Sequence, residues 1–303
     1  MEQIVRGRFA PSPSGRMHLG NLFSALLAWL SCRSSGGGMV LRIEDLDRQR
    51  CNEVHARQLE ADLLCFGLDW DMGGLADDRF VQSKRTAFYE EKLALLQEKG
   101  LLYPCYCTRA QRLLASAPHG AEVFAAACPC RSGESRGKVG RSPAWKIKTP
   151  DKVFPFTDLN IGYYSENLAR SSGDFLLRRS DGLFAYQLAV TADDGDMGIT
   201  QVVRGQDLLS STPRQRFLLQ ELDYPAPDYS HVPLLTAADG RRLSKREQDM
   251  DLGELLKTQS PEQILGRLAY WSGIVDKEES FTAKELILLF SWDKIKTVPV
   301  AVT

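Results

Sequence analysis

The sequence predicts an α/β chain built around a mostly parallel sheet. Three observations carry this. Short apolar runs of strand length, at residues 4–10 and within GGGMVLRIEDLD, which ends a loop and starts a strand, alternate with longer amphipathic runs. Leu19, Leu22, Leu26 and Leu30 recur three and four residues apart, the spacing of one helical face, with Ala25 and Trp29 beside them. The resulting order of strand, helix, strand, helix is that of an α/β layer architecture.

The elements follow in turn. Residues 4–10 read as a strand that Pro11 and Pro13 bring to an end. Residues 54–66 and 80–98 read as amphipathic helices. The character changes near Gly100. Residues 104–142 are rich in Cys, Ala, Gly, Pro and Arg without lasting periodicity, and 144–148 and 176–179 read as strands of a small inserted module. Residues 184–190 form an apolar helix or strand, 199–204 a buried strand and 211–222 a helix. After Gly240 the pattern is helical, over 251–257, 261–271 and 282–290, with Pro261 suited to a first turn and Ser260 to its N-cap.

The 303 residues, 43% of them hydrophobic, suffice for one large or two medium domains. With 38 basic against 39 acidic residues the net charge is −1, which excludes a protein coated in positive charge. Nucleic-acid binding would need a local basic groove. No apolar run approaches a membrane span, and MEQIVRGRFAPS lacks the apolar core of a signal peptide. A cytoplasmic protein is expected. Four of the seven cysteines cluster in one short region, which suggests metal chemistry or reduced thiols rather than a disulfide framework.

Three stretches carry chemistry. FAPSPSGRMHLGN, residues 9–21, leaves a strand and enters a helix, where free backbone N–H groups and a partial positive charge make an anion site. His18 can donate there to a phosphate oxygen, Gly20 permits close approach, and Arg8 and Arg16 add charge. The same stretch also reads as a Ser/Pro loop that caps a helix. GRRLSKRE, residues 240–247, carries Lys245, a flexible point charge suited to a polyphosphate; solvated surface is the alternative. Cys105 and Cys107 in YPCYCTR and Cys128 and Cys130 in ACPCRSG form two C-x-C pairs. They can close a tetrahedral thiolate site for zinc in a region poor in apolar mass, or remain four reduced thiols.

His18-Leu19-Gly20-Asn21 resembles the HIGH motif of class I aminoacyl-tRNA synthetases, and Arg242-Leu243-Ser244-Lys245-Arg246 resembles their KMSKS loop. RFAPSPSG and LRIEDLD are similar to glutamyl-tRNA synthetases. This resemblance implies a Rossmann-like catalytic domain that uses ATP, with magnesium, and L-glutamate. It implies that His18 and Lys245 stabilise charge as glutamate attacks the α-phosphorus, and that His18, Gly20, Asn21, Arg242, Ser244 and Lys245 bind ATP. It places Arg8, Ala10, Ser12, Glu44, Tyr186 and Arg204 in the glutamate pocket, with Glu44 meeting the ammonium and the arginines the carboxylates. Asp194 would support the pocket from behind. The chain departs from the pattern at Asn21, where HIGH ends in histidine, and at Arg242, which replaces the first lysine of the loop.

The cysteine region resembles the zinc-bearing insertion of glutamyl-Q tRNA(Asp) synthetases, short paralogues of glutamyl-tRNA synthetase. Their pattern is C-x-C, a tyrosine, then a single cysteine before arginine. Cys130-Arg131 matches the last element, but no tyrosine precedes it, and the nearby Phe124 cannot coordinate a metal. Cys128 would take the tyrosine's place in one structural zinc site with Cys105, Cys107 and Cys130. Only about sixty residues follow the KMSKS-like loop, and Val190 stands where the longer enzymes carry asparagine; both point to the short group.

The resemblance then implies tRNA-independent activation of glutamate by a monomer. Transfer would follow to the cyclopentenediol of queuosine, at the wobble position of tRNA(Asp). Arg131, Arg136, Lys138 and Arg141 are candidates for phosphate contacts, or a solvated loop. The expected division is 1–99, the first half of the catalytic domain; 100–182, an inserted acceptor-binding-like domain; 183–240, the second half; and 241–303, the loop and C-terminal helices without an anticodon-binding domain. A truncated glutamyl-tRNA synthetase charging tRNA(Glu) and a catalytically silent RNA-binding relative are the alternatives. The intact His18, Glu44, Lys245 and pocket arginines weigh against the second.

Overall fold

The computed structural model describes residues 4–107, 128–133, 142–237 and 251–302. The first strand, β1 (Arg6–Phe9), stops at Pro11, and α1 (Leu19–Ser34) carries the chain to β2 (Gly38–Leu41). Helix α2 (Glu53–Cys65) leads to the short β3 (Met72–Gly73). Helix α1 is buried on almost every side rather than along one stripe, with Leu22, Leu26, Leu27 and Leu30 fully enclosed. The reason is its place between the sheet and a C-terminal layer that supplies Ile264, Leu265, Leu268 and Leu286 to the same apolar cluster.

The helix expected from residue 80 begins later, as α3 (Thr86–Glu98). Tertiary pairing competes for its first turn. The Ile43 N–H donates to Phe80 O and the Gln82 N–H to Ile43 O, which draws Val81 into a parallel bridge beyond β2. Residues 78–80 and 82–84 are left as 3₁₀ turns.

A small antiparallel sheet, ordered β4–β5–β8, follows from β4 (Leu102–Cys105), β5 (Ala144–Ile147) and β8 (Phe175–Arg178). Between the last two lie the hairpin of β6 (Val153–Asp158) and β7 (Gly162–Asn167) and the single turn α4 (Leu168–Ser171). The hairpin was not anticipated from the sequence, although VFPFTD alternates exposed and buried positions.

The ambiguous apolar run at 184–190 is helical, in α5 (Tyr186–Asp196). Strand β9 (Gln201–Gly205), α6 (Thr212–Glu221) and β10 (Asp228–Val232) complete the main sheet, whose order is β10–β9–β1–β2–β3. Its registers are parallel throughout. This is a Rossmann-like sheet. The chain winds outward from β1 to β3, then returns beside β1 with β9, so the switch point and its crevice lie at the carboxyl ends of β1 and β9.

Strand β11 (Leu235–Thr236) pairs with β12 (Val300–Ala301), and between them stand α7 (Leu252–Leu255), α8 (Pro261–Ser272) and α9 (Ala283–Ile287). The first and third of these helices are shorter than expected. Ser260 and Gln263 form a capping box, Pro261 takes the first turn, and α8 ends at Gly273 in the left-handed region, φ 95°. Among the described residues, no helix is long and apolar enough to cross a membrane.

Candidate active site

A cleft of about 440 Å³ opens at the switch point. Its walls include Arg8, Ala10, Ser12, His18, Gly20, Asn21, Glu44, Tyr186 and Arg204, every described residue that the sequence pointed to for ATP or glutamate. Arg16 and Val190 line it too. Arg242, Ser244 and Lys245 lie outside the described residues, as do Phe124, Arg136, Lys138 and Arg141.

His18 is the N-cap of α1. Its Nδ1 accepts the Gly20 N–H at 3.1 Å, so the neutral ring carries its proton on Nε2. Asn21 closes a capping box by accepting the His18 N–H at 3.3 Å, a role that fits its replacement of histidine in the motif. A side chain at Gly20 would bring its Cβ within 3.1 Å of the imidazole. Asp251 bridges to His18, and the Leu252 N–H donates to Met17 O, so the chain leaving the KMSKS-like segment is docked on this turn. Arg16 is held by Asp62 at 3.1 Å.

Behind the cleft lies a buried charge network that sequence reasoning largely missed. Arg42, fully enclosed in β2's continuation, donates to Asp194 Oδ1 at 2.6 Å and Glu44 Oε1 at 3.1 Å, and lies 3.6 Å from Asp193. Arg8 Nε lies 3.5 Å from Asp194, and its Nη1 donates to Val203 O. Asp193 accepts from Gln82, Arg85 and Tyr89. Burial pushes the Glu44 carboxyl above its ordinary pKa, against the pull of Arg42. Burial acts likewise on Asp194, but there Arg42 and Arg8 prevail and hold it below. Asp194 therefore remains an anion that fixes both arginines from behind the pocket.

Arg204, on β9, is held just as closely. Its Nε donates to His231 Nε2 at 3.1 Å, Nη1 to Gln215 at 2.7 Å, and Nη2 to Thr212 Oγ1 at 2.7 Å and Leu208 O at 3.3 Å. The one sequence signal for these partners was polar residues inside apolar strands: Arg42 in VLRIED and His231 in SHVPLL.

A second cleft of about 260 Å³ shares Ser12, Ser14, Glu44 and Tyr186 with the first. Its walls also include Asp47, Arg50, Arg179 and Phe184.

The four cysteines of the two C-x-C pairs converge, with all sulfurs within 4.8 Å of one another. Sγ separations are 3.7 Å for Cys105–Cys128, 3.9 Å for Cys107–Cys128 and 3.8 Å for Cys107–Cys130. A tetrahedron with metal–sulfur bonds of about 2.3 Å has edges of roughly 3.8 Å, so this donor set fits one metal ion with no open position. Burial, then the adjacent Cys105, pushes the Cys107 thiol up to about 12. Four thiolates this close require a compensating cation. Beside them, Arg131 is paired with Asp174 at 3.1 Å and donates to Thr149 O, a structural use of its guanidinium.

Residues 4–300 match the family of class I tRNA synthetases (E and Q), catalytic domain. The glutamyl-Q tRNA(Asp) synthetase of Symbiobacterium thermophilum is 46% identical, over 99% of this chain and 96% of its own. That of Neisseria meningitidis is 43% identical, over 99% of both chains. A glutamate tRNA ligase of Elizabethkingia meningosepticum, solved with its amino acid, superposes with a TM-score of 0.82 at 23% identity. The match covers 99% of this chain and 67% of that one, and shows the shared fold. With near-complete coverage of close relatives and this cleft at the switch point, the chain belongs to the glutamyl-Q tRNA(Asp) synthetase family of class I synthetases.

Proposed function

We propose that the chain activates L-glutamate with ATP in the absence of tRNA, then esterifies a hydroxyl of the queuosine cyclopentenediol in tRNA(Asp). One observation carries the reading: a single cleft is lined by Glu44, the cations Arg8 and Arg204, and His18 at the start of α1. Glutamate has one ammonium and two carboxylates. Glu44 takes the ammonium, and Arg8 and Arg204 take the carboxylates. The α-carboxylate oxygen attacks the α-phosphorus of ATP, the bond to pyrophosphate breaks, and glutamyl-adenylate remains.

The His18 Nε2–H and the first backbone N–H groups of α1 stabilise charge on the phosphates. Lys245 adds its charge to the same phosphates. It stands six residues before Asp251, a span of at most about 20 Å of extended chain from the His18 turn. Magnesium accompanies ATP as its counterion.

The second cleft, opening on Glu44 and Tyr186, admits the acceptor base. Its hydroxyl attacks the glutamyl carbonyl carbon and AMP leaves. Cys105, Cys107, Cys128 and Cys130 hold one structural zinc ion. Arg136, Lys138 and Arg141 contact tRNA phosphates, while Arg131 is committed to Asp174. The enzyme works in the cytoplasm as a monomer, with residues 100–182 as the inserted domain.

Transfer of labelled glutamate to tRNA(Asp) with queuosine or with unmodified guanosine tests the reading. Label on the queuosine sample alone is expected. Label on neither, with adenylate forming, would mean a different acceptor, and tRNA(Glu) would be offered next.

A further inference from the structure

Arg204 has five N–H donors, and four are spent on protein acceptors: His231, Gln215, Thr212 and the Leu208 carbonyl. Among the described residues, one hydrogen, on Nη1, has no protein acceptor and is left for a ligand. A guanidinium with so little left to offer must be aimed. Its Nε–H needs an acceptor, and His231 Nε2 accepts only if the imidazole proton sits on Nδ1.

Asp158 fixes that proton. Its Oδ2 lies 2.6 Å from His231 Nδ1, while Oδ1 accepts the backbone N–H groups of His231, Asn160 and Ile161 at 3.1, 3.0 and 3.0 Å. His231 is Arg204's register partner across β10 and β9, and its ring stacks on Tyr229. Both His231 and Asp158 are enclosed. Neither touches the cleft.

We propose that Asp158 and His231 are positioning residues: the carboxylate sets the imidazole tautomer, and the imidazole orients Arg204 toward a substrate carboxylate. The inference rests on the glutamate reading above. It makes the turn of the β6–β7 hairpin, distant in sequence, part of amino-acid recognition.

Asp158→Asn is the decisive variant. The amide oxygen can keep the three backbone bonds at the turn, so the fold is retained. The amide NH₂ then faces Nδ1 as a donor and moves the ring proton to Nε2. The Nε2–H then opposes the Arg204 Nε–H and turns to Thr212 Oγ1, 3.2 Å away, the same oxygen that accepts from Arg204 Nη2, so Arg204 loses its Nε acceptor. Nitrogen-15 NMR of the histidines should show a neutral ring protonated at Nδ1 in the wild type and at Nε2 in the variant. In glutamate-dependent pyrophosphate exchange, KM for glutamate should rise ~10-fold or more, with KM for ATP within about twofold.

His231→Gln supplies an acceptor oxygen without a tautomer. It should hold KM for glutamate within about threefold, and Asp158→Asn should add no more than about twofold in that background.

A switched tautomer with unchanged KM for glutamate overturns the proposal. So does a parallel rise of both KM values, which would mark a merely structural role. If the wild type shows no glutamate-dependent exchange, the glutamate reading falls and this inference with it. If the wild type exchanges and the variant matches it, only the positioning role falls.

Discussion

The cleft at the carboxyl ends of β1 and β9 and the cysteine cluster below β4 are held in place by different means. The cleft rests on the molecule's main apolar cluster, where α1 is enclosed by sheet and C-terminal helices. Its charges are fixed in turn by buried partners, Arg42 with Asp194 and Arg204 with His231. Among the described residues, the cysteine cluster has Tyr103, Cys105 and Cys130 as buried members, with the other two cysteines partly exposed. Packing sets the geometry of the first. In the second, the four sulfurs stand at metal-site spacing, and an ion held among them would tie the two C-x-C pairs together. The two regions should therefore fail independently.

Arg42→Met should break the first region most severely. It leaves Asp193, Asp194 and Glu44 without their central cation, and removing one partner of a buried ion pair costs about 3–5 kcal/mol. Thermal or denaturant unfolding should show this loss, and glutamate-dependent exchange should disappear.

Lys245→Ala tests the catalytic half of the cleft. Exchange kcat should fall ~100-fold while the dissociation constant for glutamate stays within about twofold. Equal loss of both would make Lys245 a substrate-positioning group instead.

Stripping metal with a chelator should separate the regions. Bound zinc, close to one per chain by elemental analysis, should be lost, and transfer to tRNA should drop ~10-fold. Exchange should remain within about twofold, because no cysteine of the cluster lines the cleft.

The smallest effect is a pH dependence. Burial, with Arg204 adding to it, holds the His231 pKa below its ordinary 6.5 despite Asp158. The folded state keeps the ring neutral where the unfolded chain is protonated. His231 thus contributes stability that is complete above pH 6.5 and is lost as pH falls through its folded pKa. Tm should decline from pH 7.5 toward 5.5, and less so in His231→Gln. An equal decline in both would place the titration elsewhere.

Sequence patterns exposed the parts of the molecule whose causes are local. Leucine spacing marked α1, Pro11 closed β1, and Ser260 with Pro261 opened α8. The described residues expected for ATP and glutamate meet in one cleft, because the turn after β1 and the end of β9 flank the same switch point. What stayed hidden depends on distant partners. Arg42 reads as one more arginine until Asp194, 152 residues away, encloses it. His231 and Asp158 meet across 73 residues. The first turn of α3 gave way to pairing with Ile43, a contact no local propensity announces. Pro155 sits in the middle of β6, where a proline speaks against a strand interior, so its alternation went unassigned.

The central claim is that the cleft alone activates glutamate. The most direct measurement is ATP–pyrophosphate exchange with purified chain, magnesium and each of the common amino acids, with tRNA excluded. Exchange with glutamate and no other amino acid is the predicted result. Exchange that begins only when tRNA is added, or that glutamine supports as well as glutamate, would contradict it.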